Sequence, residues 1–234
     1  MYQDRNKDLK NLAIGFIIIF LIEILLIFCL TYKYFDSNKD LYCTFESGEY
    51  NLKYPINDTT KYIISFNTSI MQPNYVYYIN TNGKNGCPNC QYFRNDPYKI
   101  DMLIDKDYYY IGYDRGHLVP NADYGYDTYI ITNAVPMFPK FNQKIWYESE
   151  KYLRNKFHNK LIIKGCDYGY NNFIINSLNH TLYIPIGCYY LVMDSDILPN
   201  YSLDNDYKLL DHGYLKNQDT LEIEHKFPYW ANCK

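Results

Sequence analysis

The longest hydrophobic stretch of the chain lies near its start, over residues 12–31, where 15 of 20 residues are Leu, Ile or Phe. A helix of this length spans roughly 30 Å, the thickness of the hydrocarbon core of a bilayer. Glu23 costs roughly 2.5–3.5 kcal/mol in mid-membrane, whereas the apolar residues together contribute roughly 5–9 kcal/mol. The pattern therefore predicts a transmembrane helix over residues 12–31, after a short tail over residues 1–11.

No small-residue cleavage site follows this stretch, which is also longer than an ordinary signal-peptide core. It is interpreted as an uncleaved signal anchor, so that the chain is a single-pass membrane protein. The alternative is a cleaved signal that releases a secreted domain.

After a polar juxtamembrane linker over residues 32–59, short hydrophobic runs typical of β-strands alternate with polar loops. The predicted strands are residues 62–70, 75–79, 108–112, 129–132, 161–164, 181–186 and 189–193. Residues 142–157 differ, because their apolar positions recur at roughly 3.6-residue spacing and predict a helix. This order favours one α+β domain over residues 60–234.

Composition narrows the class of protein. With 47% hydrophobic and 21% charged residues, a disordered scaffold is excluded. The net charge of −3 argues against a protein that coats nucleic acid through charge alone. Because the chain has 30 Tyr, a single Tyr carries little functional weight, whereas Arg is rare.

Cysteine and Asn-X-Ser/Thr positions favour a domain outside the cytosol, lumenal or extracellular. Six cysteines outside the hydrophobic stretch allow up to three disulfides, whose pairing is left open. The pair in Cys87-Pro-Asn-Cys90 is interpreted as a structural disulfide, with half a zinc site or a redox pair as alternatives. The disulfide candidates are Cys43, Cys87, Cys90, Cys166, Cys188 and Cys233, and the glycosylation candidates are Asn57, Asn67, Asn179 and Asn200.

One group of residues suggests chemistry. Asp114-Arg115-Gly116-His117 contains a rare Arg and one of five His. Downstream, Asn142, Glu150 and Arg154 share one face of the predicted helix because positions four apart align. A neutral imidazole can take a proton from water, amide and carboxylate oxygens suit Mg²⁺, and guanidinium groups bind phosphate. This combination points to phosphodiester hydrolysis.

The charge is also uneven. Residues 140–164 carry seven basic and two acidic residues in a chain of net −3. A basic helix beside the candidate catalytic residues is what a phosphate backbone requires. The alternative interpretation is an ordinary solvated lysine face.

The segment YDRGHLVPNADYG…ITNAVPMFPKFNQKIWYESEKYLR resembles the DNA/RNA non-specific endonucleases, which are ββα-metal (His-Me finger) nucleases. The matching motifs are DRGH-L-x-P, then N-x-x-P from Asn133, then N-Q-x-x-W-x-x-x-E from Asn142. Weaker similarity extends over about residues 60–215. The resemblance implies a mainly antiparallel sheet with a catalytic helix, and the N-terminal anchor is a departure from the pattern.

The resemblance also implies roles. His117 would be the general base, Asn142 the direct Mg²⁺ ligand and Glu150 a ligand through water, with Mn²⁺ as a possible substitute. Asn133 would support the catalytic group, and Arg115 and Arg154 would contact phosphate. Asp114 would hold the motif, and Arg94 is a candidate for a further phosphate contact.

These expectations combine into a Mg²⁺-dependent, sequence-non-specific endonuclease that acts on DNA, RNA or both. The alternative from another class is a catalytically silent membrane glycoprotein that keeps the fold for binding. Each residue also has an ordinary structural interpretation, such as an i,i+4 ion pair for Glu150 and Arg154.

Overall fold

The computed structural model describes residues 41–45, 50–54, 60–98, 103–198, 207–218, 223–224 and 231–233. The predicted tail and transmembrane helix, Asn57 and Asn200 lie outside these ranges. None of the helices within them is long and apolar enough to cross a bilayer.

The described chain contains eleven strands and two α-helices. In chain order they are β1 (Leu41–Phe45), β2 (Tyr50–Tyr54), β3 (Tyr62–Asn67), β4 (Gln72–Ile79), β5 (Asp114–His117), α1 (Asn121–Tyr124), β6 (Ala134–Met137), α2 (Tyr147–Lys156), β7 (Leu161–Ile175), β8 (Thr181–Met193), β9 (Tyr207–Lys216), β10 (Ile223–Glu224) and β11 (Ala231–Cys233). Short 3₁₀ turns cover Asp105–Tyr108, Gly125–Thr128 and Ile131–Asn133, and a π-helical turn covers Phe141–Trp146.

Nine strands form one antiparallel sheet in the order β11-β1-β9-β8-β7-β4-β3-β2, with β10 paired to β9. Its hydrophobic residues alternate between two faces, as in β3, where Ile63 and Ile64 belong to different core clusters. Both faces are therefore covered by packed side chains.

A second, two-stranded sheet pairs β5 with β6, and His117 lies opposite Ala134. Gly116 lets the two strands pack closely, because a Cβ at this position would meet the buried Met137 side chain. The chain then enters the π-helical turn and α2. Phe141 and Trp146 of the turn and Leu153 of α2 pack together in the core. These pieces form a ββα unit packed on one face of the large sheet. The expected α+β class with a mainly antiparallel sheet is confirmed.

Two of the predicted strands are wrong in position. Residues 108–112 and 129–132 form turns, and the strands begin at Asp114 and Ala134. Tyr110 has φ 61° and Gly112 has φ 81°, which is incompatible with an extended strand. β1 and β2 also fall within the segment predicted as a linker and pair with β9 and β3, so the sheet begins before residue 60.

Disulfides join Cys87 to Cys90 and Cys166 to Cys188. Cys233 is also disulfide-bonded, and its register partner in the β1–β11 pair is Cys43. The predicted disulfide of the Cys87-Pro-Asn-Cys90 pair is thereby observed, as opposed to half a zinc site. Among the glycosylation candidates, Asn179 is exposed in the β7–β8 turn and Asn67 is half-buried at the end of β3.

Candidate active site

His117 ends β5 with its imidazole packed between two aromatic rings. The ring centroids of Phe93 and Tyr129 each lie 4.6 Å from that of the imidazole. The Trp146 indole Nε1 donates a hydrogen bond of 3.0 Å to the His117 carbonyl oxygen, which ties the end of β5 to the π-helical turn. The imidazole is therefore fixed by packing on both sides.

This environment keeps the imidazole neutral. Burial, with the positive charges of Arg115 and Lys164 as secondary causes, lowers the pKa of His117 to about 3. Its Nε2 is buried and forms no hydrogen bond to a described residue. A neutral imidazole with an unused nitrogen can accept a proton from a water molecule.

The buried Asn133 fixes the segment that follows His117. Its Nδ2 donates to the carbonyl oxygens of Val119 and Thr128, both at 3.0 Å, and its Oδ1 accepts from the Val119 N–H at 2.9 Å. Because the amide is fully used by the backbone, Asn133 acts on the site by positioning the loop after β5.

Asp114 orients the candidate metal ligand. Its Oδ2 accepts hydrogen bonds from Asn142 Nδ2 at 3.0 Å and from Gln143 Nε2 at 2.9 Å. Since a carboxylate can only accept here, the NH₂ end of the Asn142 amide faces Asp114 and Oδ1 is the free end. That oxygen forms no hydrogen bond with a described residue and Asn142 lines a cavity.

Glu150 belongs to a buried cluster of four charged groups. Lys164 Nζ, on β7, donates to Glu150 Oε1 at 3.0 Å, and Arg154 Nη1 lies 3.9 Å from Glu150 Oε2 and 3.8 Å from Asp123 Oδ2. The Lys164 side chain is 0% exposed and its Nζ lies 4.7 Å from the Trp146 ring centroid. Burial raises the pKa of Glu150 and lowers that of Lys164, while the ion pair opposes both shifts.

Arg115 lies on the other side of His117. Its guanidinium pairs with Asp105 and lies 5.4 Å from the Phe93 ring centroid and 5.9 Å from that of Tyr109. The 3₁₀ turn at Asp105–Tyr108 thus fixes the direction of Arg115.

Two cavities meet at His117 and Asn142. The first cavity, of about 410 Å³, is lined by His117, Asn121, Ala122, Asn142, Gln143, Trp146, Tyr147, Glu150 and Arg154. The second cavity, of about 290 Å³, is lined by Cys90, Gln91, Phe93, Tyr108, Tyr109, Tyr113, Asp114, Arg115, His117, Tyr129 and Asn142. The structure therefore brings six of the predicted residues to these two adjoining cavities, namely Asp114, Arg115, His117, Asn142, Glu150 and Arg154.

The donor set indicates which metal could bind. The described ranges contain no group of three or more His, Cys, Asp or Glu residues able to hold a metal ion. A cation at the first cavity would find the amide oxygen Asn142 Oδ1, which forms no hydrogen bond with a described residue, and a carboxylate already paired with Lys164. Such a site fits Mg²⁺, which keeps several waters, better than zinc, which takes four nitrogen or sulfur ligands in structural sites.

A sequence profile of DNA/RNA non-specific endonucleases matches residues 46–224, about three-quarters of the chain. The chain belongs to this family. Mitochondrial endonuclease G of Bos taurus is 32% identical over 73 residues, which cover 28% of this chain and 24% of the bovine protein. The Homo sapiens protein of the same name is 38% identical over 71 residues, covering 27% of this chain and 24% of its own length.

The matched stretch thus spans about a quarter of each of these relatives. The fold is similar over a larger part of the chain. The crystal structure of an EndoG/EndoGI complex aligns with a TM-score of 0.51 and 16% identity, covering 74% of this chain and 76% of that chain. At this identity the likeness concerns the fold.

The sequence alone missed several residues of the candidate site. Lys164 was noted only as part of a basic segment, although a lysine inside the hydrophobic run LIIKGC is a signal for a buried ion pair. Phe93, Tyr129 and Asp123 gave no signal, because Tyr and Asp are common in this chain. Arg94 stacks on Tyr126 at 4.0 Å and donates to its carbonyl oxygen, away from both cavities.

The basic segment 140–164 is less basic in space than in sequence. Five of its seven cations form ion pairs, including Lys151 with Glu148, Lys156 with Asp211 and Lys160 with Asp194. Within the described part of the chain, Lys140 and Lys144 form no ion pair, and both are exposed. These two lysines are therefore the unpaired positive charges that this segment offers to solvent.

Proposed function

We propose that this chain is a Mg²⁺-dependent, sequence-non-specific endonuclease that hydrolyses phosphodiester bonds in DNA, RNA or both. Membership of the endonuclease family supports a nucleic-acid substrate. The observation that carries the proposal is the pairing of a neutral His117, with Nε2 unused, and the free Oδ1 of Asn142 in one cavity.

His117 Nε2 accepts a proton from the attacking water, because burial keeps the imidazole unprotonated at neutral pH. Arg115 and Arg154, on opposite sides of His117, hold phosphate oxygens by charge-assisted hydrogen bonds. Asn142 would bind Mg²⁺ directly and Glu150 through water, with Mn²⁺ as a substitute. When bound, such a cation would supply neutralisation of the negative charge on the phosphate and on the leaving oxygen.

The proposal includes the position of the enzyme in the cell. Residues 12–31 anchor the chain in a membrane, and residues 60–234 act in a lumenal or extracellular compartment, where disulfides persist and Asn57, Asn67, Asn179 and Asn200 meet glycosylation enzymes. The buried Cys166–Cys188 disulfide and the exposure of Asn179 support this compartment. A secreted form, cleaved near residue 31, is the alternative.

The test is digestion of plasmid DNA and of RNA by the full chain, purified in mild detergent. We expect cleavage with Mg²⁺, none with EDTA, and a loss of about 10²–10⁴-fold in His117→Ala, the range for a general base. Equal thermal melting of the two proteins controls for folding. The intact mass of the same preparation distinguishes a retained anchor from a cleaved signal.

Cleavage that survives both EDTA and His117→Ala would refute the mechanism. Folded protein that binds nucleic acid or glycoprotein partners without cleaving would favour the catalytically silent membrane glycoprotein instead.

A further inference from the structure

Three exposed tyrosines lie at or beside the second cavity. Tyr109 lines the cavity, the ring of Tyr110 contacts that of Tyr109, and Tyr92 interacts electrostatically with Tyr109. Their exposed fractions are 69% for Tyr92, 37% for Tyr109 and 103% for Tyr110.

The backbone holds Tyr110 in this exposed position. Tyr110 has φ 61°, in the left-handed region that a bulky side chain rarely adopts, and Gly112 follows with φ 81°. The rings of Tyr109 and Tyr110 meet edge to face at a centroid distance of 6.3 Å. Residues with strained backbone angles cluster at functional sites, which makes this exposed ring a candidate for a ligand contact.

Tyr109 is fixed beside a cation of the catalytic site. Its hydroxyl donates to Asp105 Oδ2 at 2.7 Å, and the other oxygen of Asp105 accepts from Arg115. The Arg115 guanidinium lies 5.9 Å from the Tyr109 ring centroid. The Asp105 carboxylate therefore holds two neighbouring groups in position, the Arg115 guanidinium proposed to bind phosphate and the Tyr109 ring.

We propose that Tyr92, Tyr109 and Tyr110 form a stacking surface for unpaired nucleobases adjacent to the cleaved phosphate, which makes single strands the preferred substrate. The proposal rests on the proposed nuclease function. Aromatic rings beside cationic groups bind single strands without sequence preference, since every base has a face that can stack. In a duplex both faces of a base are covered by its neighbours, so the three rings find no partner.

The test is a binding experiment that does not depend on cleavage. Full-length His117→Ala in EDTA is titrated with a short single-stranded oligonucleotide that carries 2-aminopurine, and with the same strand annealed to its complement. We expect 2-aminopurine fluorescence to be quenched by stacking, and the single strand to bind more tightly than the duplex.

Adding Tyr92→Ser and Tyr110→Ser should weaken single-strand binding by about tenfold, remove most of the quench, and lower the ratio of single-strand to duplex affinity. Neither side chain is buried, so the fold should survive, as thermal melting will show. Phe173→Ser is the matched control, because Phe173 is 46% exposed and lines neither cavity.

An unchanged affinity ratio in the double variant, or an equal loss in the control, would overturn the stacking proposal. Absence of any quench in the parent protein would also overturn it. Failure of the native chain to cleave, with quench and ratio as expected, would count against the nuclease function and leave the stacking surface standing.

Discussion

The two cavities that meet at His117 differ in how they use charge. Beside the first cavity, Lys164 and Arg154 are buried against Glu150 and Asp123, two cations with two carboxylates. Beside the second, a single guanidinium, that of Arg115, lies among aromatic rings and pairs with Asp105. In both places the cation is positioned by a carboxylate.

The difference teaches that the two sides carry different tasks. The four-charge cluster is mostly buried, and its Lys164–Glu150 pair at 3.0 Å interacts in a medium of low dielectric constant. It suits the placement of ligands and water around a reacting phosphate. The aromatic side is open and suits contact with the rest of a substrate strand.

The largest effect that would sharpen this comparison is expected from Lys164→Met. The substitution leaves the Glu150 carboxylate buried without its 3.0 Å partner. Removing one member of a buried pair costs about 3–5 kcal/mol, so we expect the free energy of unfolding to fall by that amount in urea denaturation.

Lys151→Met is the matched control, because Lys151 pairs with Glu148 on the exposed face of α2, the helix that carries Glu150. It should change stability little. Equal losses from the two substitutions would show that the buried cluster is not an energetic unit.

A smaller effect is expected from Asn142→Ala. Loss of the free Oδ1 should lower kcat/KM on the order of 100-fold and raise the Mg²⁺ concentration needed, since one contact to developing charge is worth a few kcal/mol. Binding of Mn²⁺, followed by electron paramagnetic resonance, measures the metal site without turnover.

Gln143→Ala separates the metal oxygen from the link to Asp114, because Gln143 donates to the same Asp114 oxygen at 2.9 Å. We expect a much smaller effect on Mn²⁺ affinity there. If both variants weaken Mn²⁺ equally, Asn142 is only a structural link.

The smallest change is expected in the NMR signals of the His117 imidazole during a pH titration. Burial lowers its pKa to about 3, so its imidazole signals in NMR spectra, assigned with His117→Gln, should not shift between pH 8 and pH 5. Because the unfolded chain binds this proton near pH 6.5, the folded chain should lose stability as pH falls from about 6.5 toward 3. An inflection of the His117 signals near pH 6.5 would contradict the buried, neutral base.

The sequence predicted much of the site because its signals are local. DRGH occupies one strand, and Asn142, Glu150 and Arg154 share one helical stretch, so a short segment contains most of the chemistry. The predicted strands on either side of DRGH are wrong in position. In 108–112 the hydrophobic tyrosines resemble strand residues, but φ at Tyr110 and Gly112 prevents extension, and 129–132 leads into a 3₁₀ turn at Ile131–Asn133.

The residues that complete the site come from distant parts of the chain. Phe93 reaches His117, Asp105 pairs with Arg115, and Lys164 enters from β7 to meet Glu150. Their separation in sequence gives no periodic signal, and only the packing of the ββα unit on the large sheet brings them together.

By itself the sequence determined the family, the DRGH motif with its downstream partners and the hydrophobic stretch at its start, because each depends on residue identity at fixed local spacing. The tertiary structure decided which positive charges are available to a ligand. Most cations of residues 140–164 form ion pairs, either with carboxylates of the same segment or with carboxylates from distant parts of the chain. It also decided that His117 is neutral, because burial is a property of packing and not of the histidine itself.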